Sequence, residues 1–170
     1  MRQFRRTRSA WLIAFAIVAG WLALGGDSFG AFSPSTPTPQ CSMTGTPEPG
    51  AVDVEAMGCQ PAGVGTPLVG AKLTVTLSLS SDRAAPQNIV VRILDANGSS
   101  VDDATVMLIN RHLEMDHGDF VRKLVHDSDG RYLGEKVGMG MGGRWQTEIQ
   151  VSRPGQPTTT FIFAVLLKGI

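Results

Sequence analysis

The chain has 170 residues, and its 15 basic and 15 acidic side chains give it a formal net charge of zero at pH 7. This balance argues against the concentrated basic face that a nucleic-acid-binding protein needs, so no nucleic-acid partner is expected. Without the N-terminal segment and the linker described below, roughly a hundred residues remain, which suits one domain.

Residues 1–30 are predicted to direct the chain across a membrane. Four arginines precede the first acid, and Ala10–Leu24 is apolar apart from Gly20. A basic stretch followed by an apolar run is typical of a signal peptide, and the arginines keep the N-terminus in the cytoplasm while the rest crosses. A membrane-spanning helix needs about 20 apolar residues, so a cleaved signal peptide and a retained N-terminal transmembrane helix both stay open. The domain is therefore expected outside the cytoplasm, periplasmic or extracellular, either membrane-anchored at the cell surface or secreted.

Residues 31–67 are predicted to form a Pro/Gly/Thr-rich linker that contains both cysteines. The proline density between Ser33 and Gly50 disfavours helices and central strands. In an oxidising compartment, Cys41 and Cys59 most simply form a disulfide. A lipidated Cys41 and a thiolate metal pair are weaker alternatives, because no lipobox precedes Cys41 and metal-binding cysteines are normally much closer together.

Residues 68–170 show the polar–apolar alternation of β-strands, which is clearest in the first strand. Turn signals such as Asp95–Gly98 and Asp127–Gly130 separate the predicted strands. About seven short strands predict a single all-β, immunoglobulin-like antiparallel β-sandwich after the N-terminal hydrophobic helix and the linker, with Tyr132 and Trp145 in its core. The predicted strands are Lys72–Ser80, Asn88–Leu94, Ala104–Asn110, Phe120–His126, Tyr132–Val137, Arg144–Val151 and Thr158–Leu167.

All three histidines and several methionines fall within one part of the predicted domain. Met115 and His117 are two positions apart, as are Met139 and Met141, so each pair shares a face of an extended chain. Thioether sulfur and imidazole together suit copper, in particular Cu(I). We therefore predict a copper site formed by these four residues, with His112 as a possible additional ligand. The alternative is that the methionines fill the core, although the glycines around Met139 and Met141 make core packing less natural there.

The sequence favours a binding protein over an enzyme. It contains no Gly-x-Ser-x-Gly elbow, phosphate loop, dinucleotide fingerprint or His-Glu-x-x-His motif. Glu114 could pair with His112 or His117 as acid and base, but no nucleophile accompanies them. The preferred hypothesis is a copper-binding chaperone or copper-handling accessory protein. The alternative is a non-catalytic structural or interaction module at the cell surface, or a subunit of a membrane complex, without metal.

Several motifs, taken in order, resemble YtkA-like and FixH-like domains. They are the strand–turn–strand of Ile93–Leu108, the segment Met115–Gly118, the turn and strand at Gly130–Tyr132, the stretch Met141–Trp145 and the ending Phe161–Val165. The resemblance covers about residues 70–168. It implies a small immunoglobulin-like sandwich held outside the membrane by an N-terminal helix. FixH-type members are associated with copper delivery for haem-copper oxidase assembly, and related Met/His domains accompany copper resistance.

The resemblance also implies which residues and partners take part in copper handling. Met115 and His117 match the Met/His segment of the family, and Met141 matches the methionine that precedes a Gly-x-Trp sequence. A copper-acceptor or other membrane-protein partner is implied, with the membrane itself contacted through the N-terminal helix. The segment here is shorter and more acidic than in many relatives, and the linker with its cysteine pair is not part of the recognised pattern.

Overall fold

The computed structural model describes residues 41–44 and 59–170, so the predicted N-terminal helix lies outside the described residues. Within these residues, no helix is long and apolar enough to cross a membrane. Eleven strands form the described part of the chain. They are β1 (Ser42–Thr44), β2 (Ala62–Gly63), β3 (Leu68–Gly70), β4 (Leu73–Leu79), β5 (Gln87–Asp95), β6 (Thr105–His112), β7 (Phe120–Lys123), β8 (Val125–His126), β9 (Arg131–Val137), β10 (Gly143–Ser152) and β11 (Thr159–Leu167).

The strands form two sheets that pack as a β-sandwich. One sheet has the order β1-β11-β10-β6-β7, with β2 beside β11, and the other has the order β3-β4-β5-β9-β8. Neighbouring strands are antiparallel except for β2 and β11, which are parallel. The all-β prediction is confirmed, whereas the predicted number of about seven strands was too low.

The core lies between the sheets because the apolar residues of the strands alternate toward it. In β4, Leu73, Val75 and Leu77 are buried while the residues between them are more exposed. Full burial of one such side chain contributes about 1.5–3 kcal/mol. Tyr132 and Trp145 are both buried in the same cluster, which confirms their predicted place in the core.

The predicted strand Phe120–His126 is two strands that belong to different sheets. Strand β7 pairs with β6 in one sheet, and β8 pairs with β9 in the other. Between them, Leu124 is buried in the core, and its backbone N–H donates to the carbonyl oxygen of Val106 over 2.9 Å. The chain therefore passes from one sheet to the other at Leu124, a step that the alternation of side chains did not reveal.

The predicted disulfide between Cys41 and Cys59 is confirmed, with their Cα atoms 5.1 Å apart. Cys41 is fully buried beside β1, and its carbonyl oxygen accepts the N–H of Ile162 over 3.0 Å. The disulfide thus attaches Cys59, just before β2, to the β1 edge of the six-stranded sheet.

Candidate metal centre

The end of β6 and the start of β10 lie side by side, because these strands are antiparallel neighbours in which His112 pairs with Trp145. The segment after β6 (residues 113–119, the β6–β7 loop) and the segment before β10 (residues 138–142, the β9–β10 loop) therefore leave the sheet at the same end. This pairing brings together two Met-containing stretches that are distant in the sequence.

Met115 and His117 contact each other in the β6–β7 loop. The Nε2 atom of His117 lies 3.4 Å from the Sδ atom of Met115, whose side chain is 51% exposed. The backbone here is a loop rather than the extended chain assumed from the spacing, and Gly118 takes a positive φ of 73°. The predicted proximity of this pair is nevertheless present.

Met141 lines the same groove as His117. This groove has a volume of about 410 Å³, and its lining includes His112, His117, Met141 and Trp145. A second groove of about 540 Å³ is lined by the β6–β7 loop, including Met115, and it shares His112 and His117 with the first. His117 therefore lines both grooves, the one that contains Met115 and the one that contains Met141. We refer to the groove of about 410 Å³ as the Met141 groove.

Met139 is placed differently from Met141. Its side chain is 0% exposed and belongs to the hydrophobic core, while Met141 is half-buried and packs against the edge of that core. The expectation that core packing is less natural in this glycine-rich stretch is therefore wrong for Met139. In this arrangement Met139 contributes packing, and only Met141 of the pair reaches the groove.

His112, the possible additional ligand, is the last residue of β6 and only 5% exposed. Its Nδ1 atom accepts the backbone N–H of Glu114 over 3.2 Å, and its Nε2 atom lies 3.0 Å from the carbonyl oxygen of Gly142. Its ring also meets Trp145 edge-on, with the ring centroids 4.8 Å apart. A continuing strand would have pointed His112 away from Met115 and His117. The strand ends at His112, and this side chain lines the same two grooves as His117.

Two of the three carboxylates of the β6–β7 loop, those of Asp119 and Glu114, are engaged by arginines. Arg111 donates to both oxygens of Asp119, over 2.7 and 2.5 Å, and this hydrogen bonding raises the pKa of the Arg111 guanidinium. Arg144 donates to Glu114 over 3.0 Å. Within residues 41–44 and 59–170, no three His, Cys, Asp or Glu side chains are grouped as a metal site requires.

Asn110 is a polar residue of the Met141 groove that the sequence analysis did not select. It is fully buried, and its Oδ1 atom accepts the hydroxyl of Thr147 over 2.8 Å. Its Nδ2 atom has no hydrogen-bond partner among the described residues. The signal was present in the sequence, since Asn110 continues the inward positions of Val106 and Leu108 with an amide. Leaving a buried amide donor without a partner costs about 1–3 kcal/mol, so such groups are rare in folded proteins.

The FixH family model matches residues 69–161, which is more than half of the chain. The chain belongs to the FixH family. Among solved structures, a likeness exists to the "as isolated" FetP of uropathogenic E. coli strain F11, recombinantly expressed in the periplasm of E. coli BL21(DE3). That structure is 12% identical and has a TM-score of 0.46, with 64% of this chain and 97% of that chain covered. No curated protein matches this FixH-family chain significantly.

Membership of the FixH family and the Cys41–Cys59 disulfide together point to an extracytoplasmic location. Disulfides form and persist in oxidising compartments and are rare in the cytosol. The predicted leader in residues 1–30 agrees with this location.

Proposed function

We propose that this FixH-family domain is an extracytoplasmic copper-binding protein that holds Cu(I) through Met115, His117 and Met141. The observation that carries the proposal is the 3.4 Å contact between His117 and Met115, together with the groove that His117 shares with Met141. These residues offer two thioethers and one imidazole, a donor set that suits Cu(I).

The surroundings of the three residues favour a soft metal over a hard one. Hard cations such as Mg²⁺ and Ca²⁺ require several oxygen ligands. The nearby carboxylates of Glu114 and Asp119 are already bonded to Arg144 and Arg111. Asp116 is the remaining carboxylate of the β6–β7 loop, and one carboxylate supplies fewer oxygen ligands than a hard cation requires. Two thioethers and an imidazole suit Cu(I) better.

The proposed role is binding and transfer rather than catalysis. The N-terminal segment acts as a membrane anchor or a cleaved signal peptide, and the copper passes to or from a membrane-protein partner. The half-exposed Met115 suits this role, because an incoming acceptor ligand can reach a metal held at the surface of the domain.

A Cu(I) titration against the competing chelator bicinchoninate tests the proposal. We expect Met115→Leu and His117→Gln each to weaken Cu(I) binding at least about tenfold, which corresponds to about 1.4 kcal/mol. Each change removes one donor while keeping a side chain of similar size. The affinity is read from the fraction of Cu(I) that the protein withdraws from the chelator.

His126→Gln is the matched control for this titration, since His126 lies on β8 and bonds to Asp102 rather than to either loop. We expect it to leave the Cu(I) affinity unchanged. Micromolar or weaker binding by the wild-type protein that none of these substitutions alters would contradict the proposed function.

The second candidate is a non-catalytic interaction module without metal. It is favoured by the exposure of two apolar side chains in the β6–β7 loop, Leu113 at 49% and Met115 at 51%. Exposed apolar side chains at a loop tip can contact a protein partner. In this case Leu113→Ser and Met115→Ser would weaken association with the membrane partner, and Cu(I) would not affect that association.

A further inference from the structure

His112 bridges the two loops that carry the proposed copper ligands. On one side it accepts the N–H of Glu114, which precedes Met115, and on the other it contacts the carbonyl oxygen of Gly142, which follows Met141. It is the last residue of β6 and almost completely buried, so its ring is held by the sheet. No other imidazole in residues 41–44 and 59–170 contacts both loops in this way.

The two hydrogen bonds define the protonation of the ring. A backbone N–H can only donate, so the Nδ1 atom of His112 must offer a lone pair to Glu114. A carbonyl oxygen can only accept, so the Nε2 atom must carry the proton that is donated to Gly142. His112 is therefore the neutral tautomer protonated at Nε2, and neither nitrogen has a lone pair left for a metal while these bonds persist.

We infer that His112 is a positioning residue of the proposed copper site and not one of its ligands. By joining Glu114 to Gly142, it fixes the separation of the backbone segments from which Met115 and Met141 project. This inference rests on the proposed function, because it assigns a role to His112 in the same site.

Gly143, the first residue of β10, directly follows the β9–β10 loop and lies close to His112. A Cβ atom at Gly143, where φ is +114°, would lie 3.0 Å from the His112 Nε2 atom and 2.6 Å from a carboxylate oxygen of Glu114. Only glycine adopts this conformation readily and leaves room for that approach. The indole N–H of Trp145 also donates to the carbonyl oxygen of Met141 over 3.1 Å. The β9–β10 loop is thus held by hydrogen bonds to two successive carbonyl oxygens, that of Met141 from Trp145 and that of Gly142 from His112.

Such a link affects metal binding without touching the metal. Ligands that are held in place before binding lose less conformational freedom when the metal arrives. Substitution of groups that orient metal ligands typically costs about 10–100-fold in affinity. We therefore expect His112→Ala to weaken Cu(I) binding by about that factor while the number of nitrogen donors at the metal stays the same.

The direct test is an NMR measurement of the histidine ring nitrogens in the ¹⁵N-histidine-labelled full chain, before and after one equivalent of Cu(I). Without metal, we expect His112 to show the tautomer protonated at Nε2. With Cu(I), the ring nitrogens of His117 shift, whereas those of His112 keep both their shifts and their tautomer. A Cu(I)-induced shift of the His112 nitrogens of the size expected for direct coordination would overturn the inference and make His112 a ligand.

Substitutions of His112 test the contributions of its two hydrogen bonds to Cu(I) binding separately. Asn at position 112 keeps an acceptor near Nδ1, and Gln keeps a donor near Nε2, so His112→Asn and His112→Gln should each retain more Cu(I) affinity than His112→Ala. X-ray absorption of the Cu(I)-loaded His112→Gln protein should give the same sulfur and nitrogen donors as the wild type. The loss of one nitrogen donor would overturn the inference.

Failure of this inference and failure of the proposed function give different results. If the wild-type chain binds no Cu(I), the proposed function fails and the role of His112 in the site fails with it. If Cu(I) binds but His112 shows the other tautomer in the metal-free protein, the link between the loops fails while the copper site stands. The wild-type spectra decide both points even if a variant does not fold.

Discussion

Met139 and Met141 form a natural pair for comparison, because they are the same residue type two positions apart and only one of them reaches the Met141 groove. We expect Met141→Leu to weaken Cu(I) binding about tenfold, or about 1.4 kcal/mol, by removing a thioether. Met139→Leu should leave the affinity unchanged and alter the free energy of unfolding by less than about 1.5 kcal/mol, since the two side chains have similar volumes. The Cu(I) affinities come from chelator competition and the unfolding free energies from urea titration.

Loss of Cu(I) affinity in Met139→Leu rather than in Met141→Leu would require a copper site with different ligands. If Met139→Leu reduces the Cu(I) affinity and Met141→Leu does not, the core around Met139 must open to admit the metal. Equal affinities for both variants and the wild type would remove both residues from the ligand set.

The roles of these residues could be predicted only in part from the sequence. The soft-donor types and their spacing were visible, and Met115 and His117 do contact each other, although in a loop rather than on the extended chain that the spacing argument assumed. The alternation of methionine and glycine from Gly138 onward gave no basis for telling a core residue from a groove residue. The difference between Met139 and Met141 depends on which of the two side chains enters the core, and no local pattern encodes that choice. The partner of His112 at Gly142 is likewise 30 positions away in the sequence.

The strands that could be predicted from the sequence are the long ones, in which polar and apolar residues alternate over many positions. Six of the seven predicted strands correspond to β4, β5, β6, β9, β10 and β11. The short strands β1, β2 and β3 have two or three residues each, too few to show a period of two. Strand β1 forms in a proline-rich region because it lies at a sheet edge, where pairing on one side is enough. The finer prediction, that the sandwich has immunoglobulin-like connections, stays a prediction.

The Asp102 carboxylate, in the segment before β6, forms hydrogen bonds to the β8–β9 hairpin. Asp102 accepts the backbone N–H of Gly130 over 2.7 Å and bonds to the Nε2 atom of His126 over 2.9 Å. The hydrogen bond from His126, followed by that from Gly130, lowers the pKa of Asp102 below its ordinary value of 3.8. A carboxyl whose pKa is lowered by folding stabilises the protein above its unfolded pKa. That contribution is lost as the pH falls below 3.8 and through the folded value.

We therefore expect Asp102→Asn to make the stability of the protein less sensitive to acid. The amide keeps an acceptor for Gly130 but cannot titrate, so the fall in unfolding free energy between about pH 5 and pH 2 should be smaller than in the wild type. Urea unfolding at a series of pH values measures this difference. Parallel curves for the two proteins would show that the Asp102 contacts do not contribute to acid stability.

At the scale of the whole molecule, the two sheets act as a scaffold that holds two loops together at one end. The core fixes β6 and β10 side by side, their pairing places the loops, and His112 joins the loops across the end of the sheet. The disulfide and the short β1 strand lie at the opposite edge of the same sheet from β7. In this arrangement the proposed copper site lies at one end of the sandwich, and the surface around Met115 stays open to a partner.

X-ray absorption at the copper edge of the Cu(I)-loaded full chain tests the central claim most directly. The arrangement of Met115, His117 and Met141 predicts one bound Cu(I) with two sulfur donors and one nitrogen donor. One sulfur should be lost in Met115→Leu, the other in Met141→Leu, and neither in Met139→Leu. A spectrum with nitrogen and oxygen donors alone, or one that both methionine substitutions leave unchanged, would contradict the account.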